Sequence, residues 1–134
     1  MFNNNNKKDR ININDNNPAF QLNKMVYEKL ESLNFNLNKE LIIVCIGTDR
    51  STGDCLGPLT GSLLKKNNKN NISIWGDVNN PVHARNLDKT INIIEKKYKN
   101  PFIIAIDAGL GKKSSVGCID VKKGPLKPGT GVNK

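Results

Sequence analysis

Leu41-Ile42-Ile43-Val44-Cys45-Ile46 runs directly into Gly47-Thr48-Asp49-Arg50-Ser51-Thr52-Gly53-Asp54-Cys55-Leu56-Gly57-Pro58. An apolar run of this length, bounded by glycine and polar residues, reads as a strand buried on both faces. A second junction of the same kind follows later. Pro101-Phe102-Ile103-Ile104-Ala105-Ile106 leads into Asp107-Ala108-Gly109-Leu110-Gly111. In an open parallel sheet, ligands bind beyond the carboxyl ends of the strands. Asp49, Asp54 and Asp107 all lie at or beyond such ends, so the pattern predicts a site lined by carboxylates.

The remaining elements fall around these two strands. Leu22, Met25, Val26, Leu30 and Leu33 recur at helical spacing within Phe20 to Phe35. Leu56, Leu59, Leu63 and Leu64 predict a second helix with an inward leucine face, Pro58 being tolerated in its first turn. Ile72 to Trp75 predicts a short strand. Asn80-Pro81 predicts a helix start, with Leu87, Ile91, Ile94 and Tyr98 as its buried face. Val116 to Val121 predicts a last strand. The order is that of an α/β domain with a mainly parallel sheet. Right-handed crossovers place the strand at Leu41 beside the one at Phe102, with the Ile72 strand outside. Neighbouring strands are about 4.8 Å apart, so the acids that follow them come within reach of each other.

Composition bounds the reading. The 134 residues suit one domain, and the Asn- and Lys-rich stretch 1–17 predicts a disordered tail, with the structured domain spanning 18–134. The net charge is +9, but the lysines are dispersed and have few aromatics among them. That pattern fits a solvated surface that attracts acidic partners and weighs against nucleic-acid recognition. Cys45, Cys55 and Cys118 form no CxxC pair, and no stretch reads as a signal peptide or membrane span, so the expected location is the cytoplasm. The glycine- and proline-rich ending, Lys122 to Gly131, predicts a chain truncated at its C-terminus.

The Gly47–Gly57 loop matches neither a Walker A loop nor a dinucleotide fingerprint, and its acids would repel phosphate. Two close carboxylates share a proton, one as base and one as acid, which suits activation of water toward an amide carbonyl. The same oxygens suit a divalent cation. The plainer roles are a helix cap for Asp54 and a turn contact for Asp107. Asp49 reads as a loop-ordering or solvent-facing residue. Arg50 reads as the partner of an acid or of a developing oxyanion. His83 is the only histidine, which excludes a multi-histidine metal site and leaves a serine or cysteine triad hard to build. Its predicted place is a first helical turn, at the surface or facing the acids.

Cys45 to Asp54 with Leu56-Gly57-Pro58-Leu59, Pro81-Val82-His83-Ala84 with Asn86-Leu87, and Ile104 to Ala108 with Leu110-Gly111 resemble, in order, the signature of the YyaC family of sporulation proteins of spore-forming Firmicutes. Val116-Gly117, Gly124 to Gly129 and Gly131-Val132 continue the match, which covers about Leu41 to Lys134. That family is similar to the germination protease that degrades small acid-soluble spore proteins, and more distantly to hydrogenase maturation endopeptidases. The resemblance implies a three-layer phosphorylase/hydrolase-like α/β fold and an atypical aspartic peptidase of the spore or forespore. Its catalytic acids would be Asp54 and Asp107, with Gly47, Thr48, Asp49, Arg50, Gly57 and His83 shaping the substrate site. It implies no cofactor, since the further metal-ligand histidine of the hydrogenase peptidases has no assured match here. The alternative is a sporulation factor without catalysis, whose acidic cleft binds a protein or a divalent cation.

Overall fold

A computed structural model describes residues 9–36, 38–68 and 72–124, which divide into two compact units. In chain order the elements are strand β1 (Arg10–Asn12), helix α1 (Pro18–Ser32), β2 (Leu41–Cys45), α2 (Leu56–Lys66), β3 (Ser73–Trp75), α3 (Leu87–Lys97), β4 (Phe102–Ile106) and β5 (Cys118–Asp120). Short 3-10 turns lie at Thr52–Asp54 and Lys113–Ser115. The expected mixed α/β class with a mainly parallel sheet is what these residues form. No helix among the described residues is long and apolar enough to cross a membrane.

The larger unit, within residues 38–110, is a three-stranded parallel sheet in the order β3-β2-β4. Ile42 stands opposite Ser73 and Ile103, and Val44 opposite Trp75 and Ala105. β2 is central and covered on both sides, which is why its sequence is an unbroken apolar run. Alternate residues point to opposite faces. Ile42, Val44 and Ile46 therefore share one face, where they bury with Val82 and Ile94 against Trp75, Leu87, Ile91 and Tyr98. Complete burial of such a side chain stabilises by roughly 1.5–3 kcal/mol. The face of α3 is the one its periodicity predicts.

Cys45 faces the other way, toward α2, and here the expectation is corrected. Leu56, Leu59 and Leu63 are 51%, 50% and 62% exposed, while Gly57, Pro58 and Gly61 are buried. The reason is close approach. A Cβ built on Gly57 would lie 2.0 Å from the Ile46 carbonyl oxygen, and one on Gly61 would lie 1.8 Å from that of Gly76. The helix backbone rests directly on the strand ends, as the bare Gly57 and Gly61 allow, with Pro58 buried beside them; Leu56, Leu59 and Leu63 turn outward and Leu64 is half-buried.

Two further expectations change in this unit. The helix after β3 begins at Leu87, not at Pro81. Val82 is instead held extended, in a parallel bridge with Ile46. Asn86 fixes the turn that follows, its Oδ1 accepting from the His83 N–H (2.8 Å) and its Nδ2 donating to the Pro81 carbonyl (3.0 Å). His83 therefore lies before the helix, outside any helical turn.

The smaller unit pairs β1 antiparallel with β5, so the expected last strand does not join the parallel sheet. Residues 9–17 are correspondingly not a disordered tail. Ile11 is 3% exposed, and the Arg10 guanidinium grips the Asp120 carboxylate at 2.6 and 3.0 Å and donates to Ser115 Oγ at 3.2 Å. Helix α1 begins after a left-handed Asn17 and ends near the expected place. The rest of the expected tail, residues 1–8, lies outside the described residues, as do the Pro125 to Gly129 part of one match and the Gly131-Val132 match at the other end.

The contact between α2 and the sheet generates two predictions. Alanine is the better helix former by about 0.8–1 kcal/mol, yet Gly61→Ala should lower unfolding free energy by about 1–3 kcal/mol through overpacking against Gly76. Leu63→Ala should stay within about 0.5 kcal/mol. Urea titration compares the two, and a stabilised Gly61→Ala would contradict the packing. Beneath Gly61, burial pushes the Cys45 thiol up to about 11. At pH 8 a thiol reagent should modify Cys55 and Cys118 rapidly and Cys45 only as the protein unfolds. The folded state keeps the Cys45 proton after the unfolded chain has released it. Stability should therefore fall as pH rises from the ordinary thiol range toward that value, by at most about 1.4 kcal/mol per pH unit. Simultaneous modification of all three thiols would contradict the buried position.

Candidate functional site

Ile46 and Gly47, where β2 ends, are touched by three separate segments. The Ile46 N–H donates to the Ile106 carbonyl at 2.7 Å, and Asp107 is the next residue along that strand. The Gly47 N–H donates to the Val82 carbonyl at 2.7 Å, and His83 is the next residue there. The Thr48 N–H donates to the Asp54 carbonyl at 2.9 Å, which folds the loop back over Gly47. A Cβ on Gly47 would lie 2.1 Å from that same Asp54 oxygen, and the backbone φ of +144° is in the range that favours glycine. Asp54, His83 and Asp107 are thereby brought around two residues of backbone, at the carboxyl rim of the sheet.

Both acids are withdrawn from water. Asp54 is 6% exposed, and both carboxylate oxygens of Asp107 are shielded from solvent. Asp54 belongs to the 3-10 turn, where its N–H donates to the Ser51 carbonyl at 3.0 Å. It is not the cap of α2: the N-cap position is Cys55, and no side chain caps that end by a hydrogen bond. His83 is half-buried, with Nδ1 accepting from the Arg85 N–H at 3.2 Å. A neutral ring with Nδ1 as acceptor carries its proton on Nε2.

The remaining predicted residues divide between framework and rim. Gly57 seats α2 against Ile46, and Thr48 Oγ1 accepts from the Arg50 N–H at 3.2 Å. Asp49 and Arg50 are exposed in the turn, and the Arg50 guanidinium forms no ion pair among the described residues. No group of three or more His, Cys, Asp or Glu residues able to hold a metal ion occurs among the described residues.

Sequence reasoning missed a further acid at a strand end. Gly76-Asp77 follows β3 just as Gly47 follows β2, so the same rule had the signal to find it. Asp77 is 8% exposed, ion-paired with Lys65 of α2, and its Oδ1 accepts from the Asn80 N–H at 2.6 Å. The Lys65 hydrogen bond, helped by the Asn80 N–H, holds its carboxyl below the usual carboxylate range. The Val78 N–H donates to Ser62 Oγ at 3.1 Å, tying the same loop to α2 a second time.

Comparison with known proteins places this arrangement in a family. Residues 10–134 match the family described as Protein of unknown function (DUF1256). The protein named "Uncharacterized protein YyaC" of Bacillus subtilis (strain 168) is 52% identical over 103 residues, 77% of this chain and 50% of the relative. The chain thus spans about half the length of that curated relative. No solved structure matches. With the family match running from β1 through the whole parallel sheet, the chain belongs to the DUF1256 family of YyaC-like proteins.

Proposed function

We propose that the chain carries the aspartate pair of a sporulation- or germination-associated peptidase with a phosphorylase/hydrolase-like fold. The observation that carries this reading is the placement of Asp54 and Asp107, both withdrawn from water, on two sides of the Ile46–Thr48 backbone. Held in this way, one carboxylate takes a proton from water as the oxygen attacks the amide carbon. The other, protonated, gives its proton to the carbonyl oxygen; as the intermediate collapses, the first passes the water-derived proton to the leaving amine and the second takes its own back from the hydroxyl. A low-dielectric wall on both sides strengthens each of these interactions. His83, across Gly47 from Asp107, borders the place where the substrate would lie. The protein substrates expected from the family resemblance are small acid-soluble spore proteins, and the net charge of +9 favours the approach of an acidic chain.

The test is cleavage of a small acid-soluble spore protein followed by mass spectrometry. It is run with this chain and with a version extended by the remaining half of the Bacillus subtilis relative. Asp54→Asn and Asp107→Asn should each slow cleavage by about 10²–10⁴-fold, the usual contribution of a general acid or base. Thermal unfolding midpoints should be little changed, and a chelator should leave the rate unaltered. Undiminished cleavage by either variant removes the dyad. If neither folded protein cleaves at all, the acidic cleft is better read as a binding site for a protein or a cation.

A further inference from the structure

The loop after β3 builds a feature that the aspartate pair does not use. A cleft of about 560 Å³ is lined by Ile74, Trp75 and Gly76, by Lys65 of α2 and Thr90 of α3, and by the loop after β3 as far as His83. Residues of α2 and α3, on opposite faces of the sheet, both line it, and it borders β3 and the loop that follows. β2 is the one strand paired with β3 among the described residues.

The walls are built in advance. Trp75 Nε1 donates to Ser73 Oγ at 2.9 Å, and that oxygen lies 3.0 Å from the Tyr98 hydroxyl. Asp77 is matched by Lys65, both ends of the Asn86 amide are engaged, and Thr90 Oγ1 donates to the Asn86 carbonyl at 2.8 Å. With these side chains engaged with one another, the outer edge of β3 adds main-chain N–H and C=O groups for an incoming ligand. Those groups recognise another extended backbone. Two cations lie near the cleft, together with the exposed acid Asp88 in the first turn of α3. Lys97 Nζ lies 5.9 Å from the Trp75 ring centroid, Arg85 is exposed next to His83, and Asp77 is already neutralised by Lys65.

We propose that this cleft binds an extended peptide segment with acidic side chains, which adds to the sheet as a strand along the outer edge of β3. Binding of this kind requires neither Asp54 nor Asp107, so it can be tested separately from the peptidase reading although His83 borders both sites. A backbone laid along the edge meets β3 through main-chain hydrogen bonds, while its alternate side chains project toward Trp75 and the two cations.

The chain has a single tryptophan, Trp75, and it lies in the cleft, so its emission reports occupancy directly. The probe is the capped peptide acetyl-Glu-Val-Glu-Val-Glu-amide, titrated into the Asp54→Asn protein to exclude turnover. Two comparison peptides carry lysine for glutamate, or N-methyl groups on alternate amides. A saturable emission change is expected with the acidic peptide, and both comparison peptides should bind at least about tenfold more weakly. Lys97→Glu, a change at an exposed position, should weaken the acidic peptide by at least about fivefold at low salt. NMR amide shifts at residues 73–76 give the same readout independently of emission. Equal binding of the N-methylated peptide would overturn strand addition, and equal binding of the lysine peptide would overturn the charge preference. No saturable change in either emission or amide shifts would overturn the site.

Discussion

Two main-chain hydrogen bonds at the end of β2, Ile46 N–H to Ile106 and Gly47 N–H to Val82, hold the candidate site of this molecule in place. Each contributes about 1 kcal/mol net, but each lies in a buried setting where an unmade bond costs more. Their consequence is geometric. One bond fixes the residue before Asp107 and the other the residue before His83, while the return of the Asp54 carbonyl to Thr48 closes the third side. None of this would fit if α2 kept its distance. Gly57 lets that helix rest on the Ile46 carbonyl, and Gly61 lets it rest on Gly76. The small-residue face of one helix therefore sets how tightly the loops at the rim are drawn together.

That dependence explains which parts of the fold were legible in the sequence. β2 and β4 are unbroken apolar runs, and α3 shows its buried face through Leu87, Ile91, Ile94 and Tyr98. In these elements burial and periodicity give the same answer. In α2 they conflict. Leu56, Leu59 and Leu63 form a stripe, but periodicity states only that a stripe exists and says nothing of its direction. Gly57 and Gly61, four residues apart, mark the competing face, and steric access to the strand ends decides for them. β1 was illegible for another reason. Ile11 stands alone among polar residues, and the partners that bury and clamp its strand lie more than a hundred positions later, Arg10 and Asp120 being 110 apart.

The candidate site divides in the same way. The rule that ligands gather beyond strand ends pointed to Asp54 and Asp107, because their strands are long enough to recognise. Asp77 obeys the same rule but follows a strand of three residues, too short to announce its own end. His83 was placed near the rim, but in the wrong local structure. A Pro after an Asn is a strong helix-start signal, and what overrides it is the side chain of Asn86, reaching three residues back to His83 and five back to Pro81. Contacts of that kind leave no periodic trace.

The three acids at strand ends differ in what their surroundings let them do. Asp77 has its charge matched by Lys65 and an oxygen occupied by the Asn80 N–H, so it is committed to holding the loop and is poorly suited to exchange protons near neutral pH. Fixing that loop has a further effect. It holds in place Lys65 and Asn80, which line the cleft beside Trp75. Because the sheet is parallel, β3 ends at the same rim as β2 and β4. On the proposed readings, a peptide backbone paired along β3 has one end delivered to the rim that carries His83, Asp54 and Asp107. Affinity then arises from an edge of main-chain groups and chemistry from side chains at the strand ends. The two can vary separately, because neither member of the aspartate pair lines the cleft.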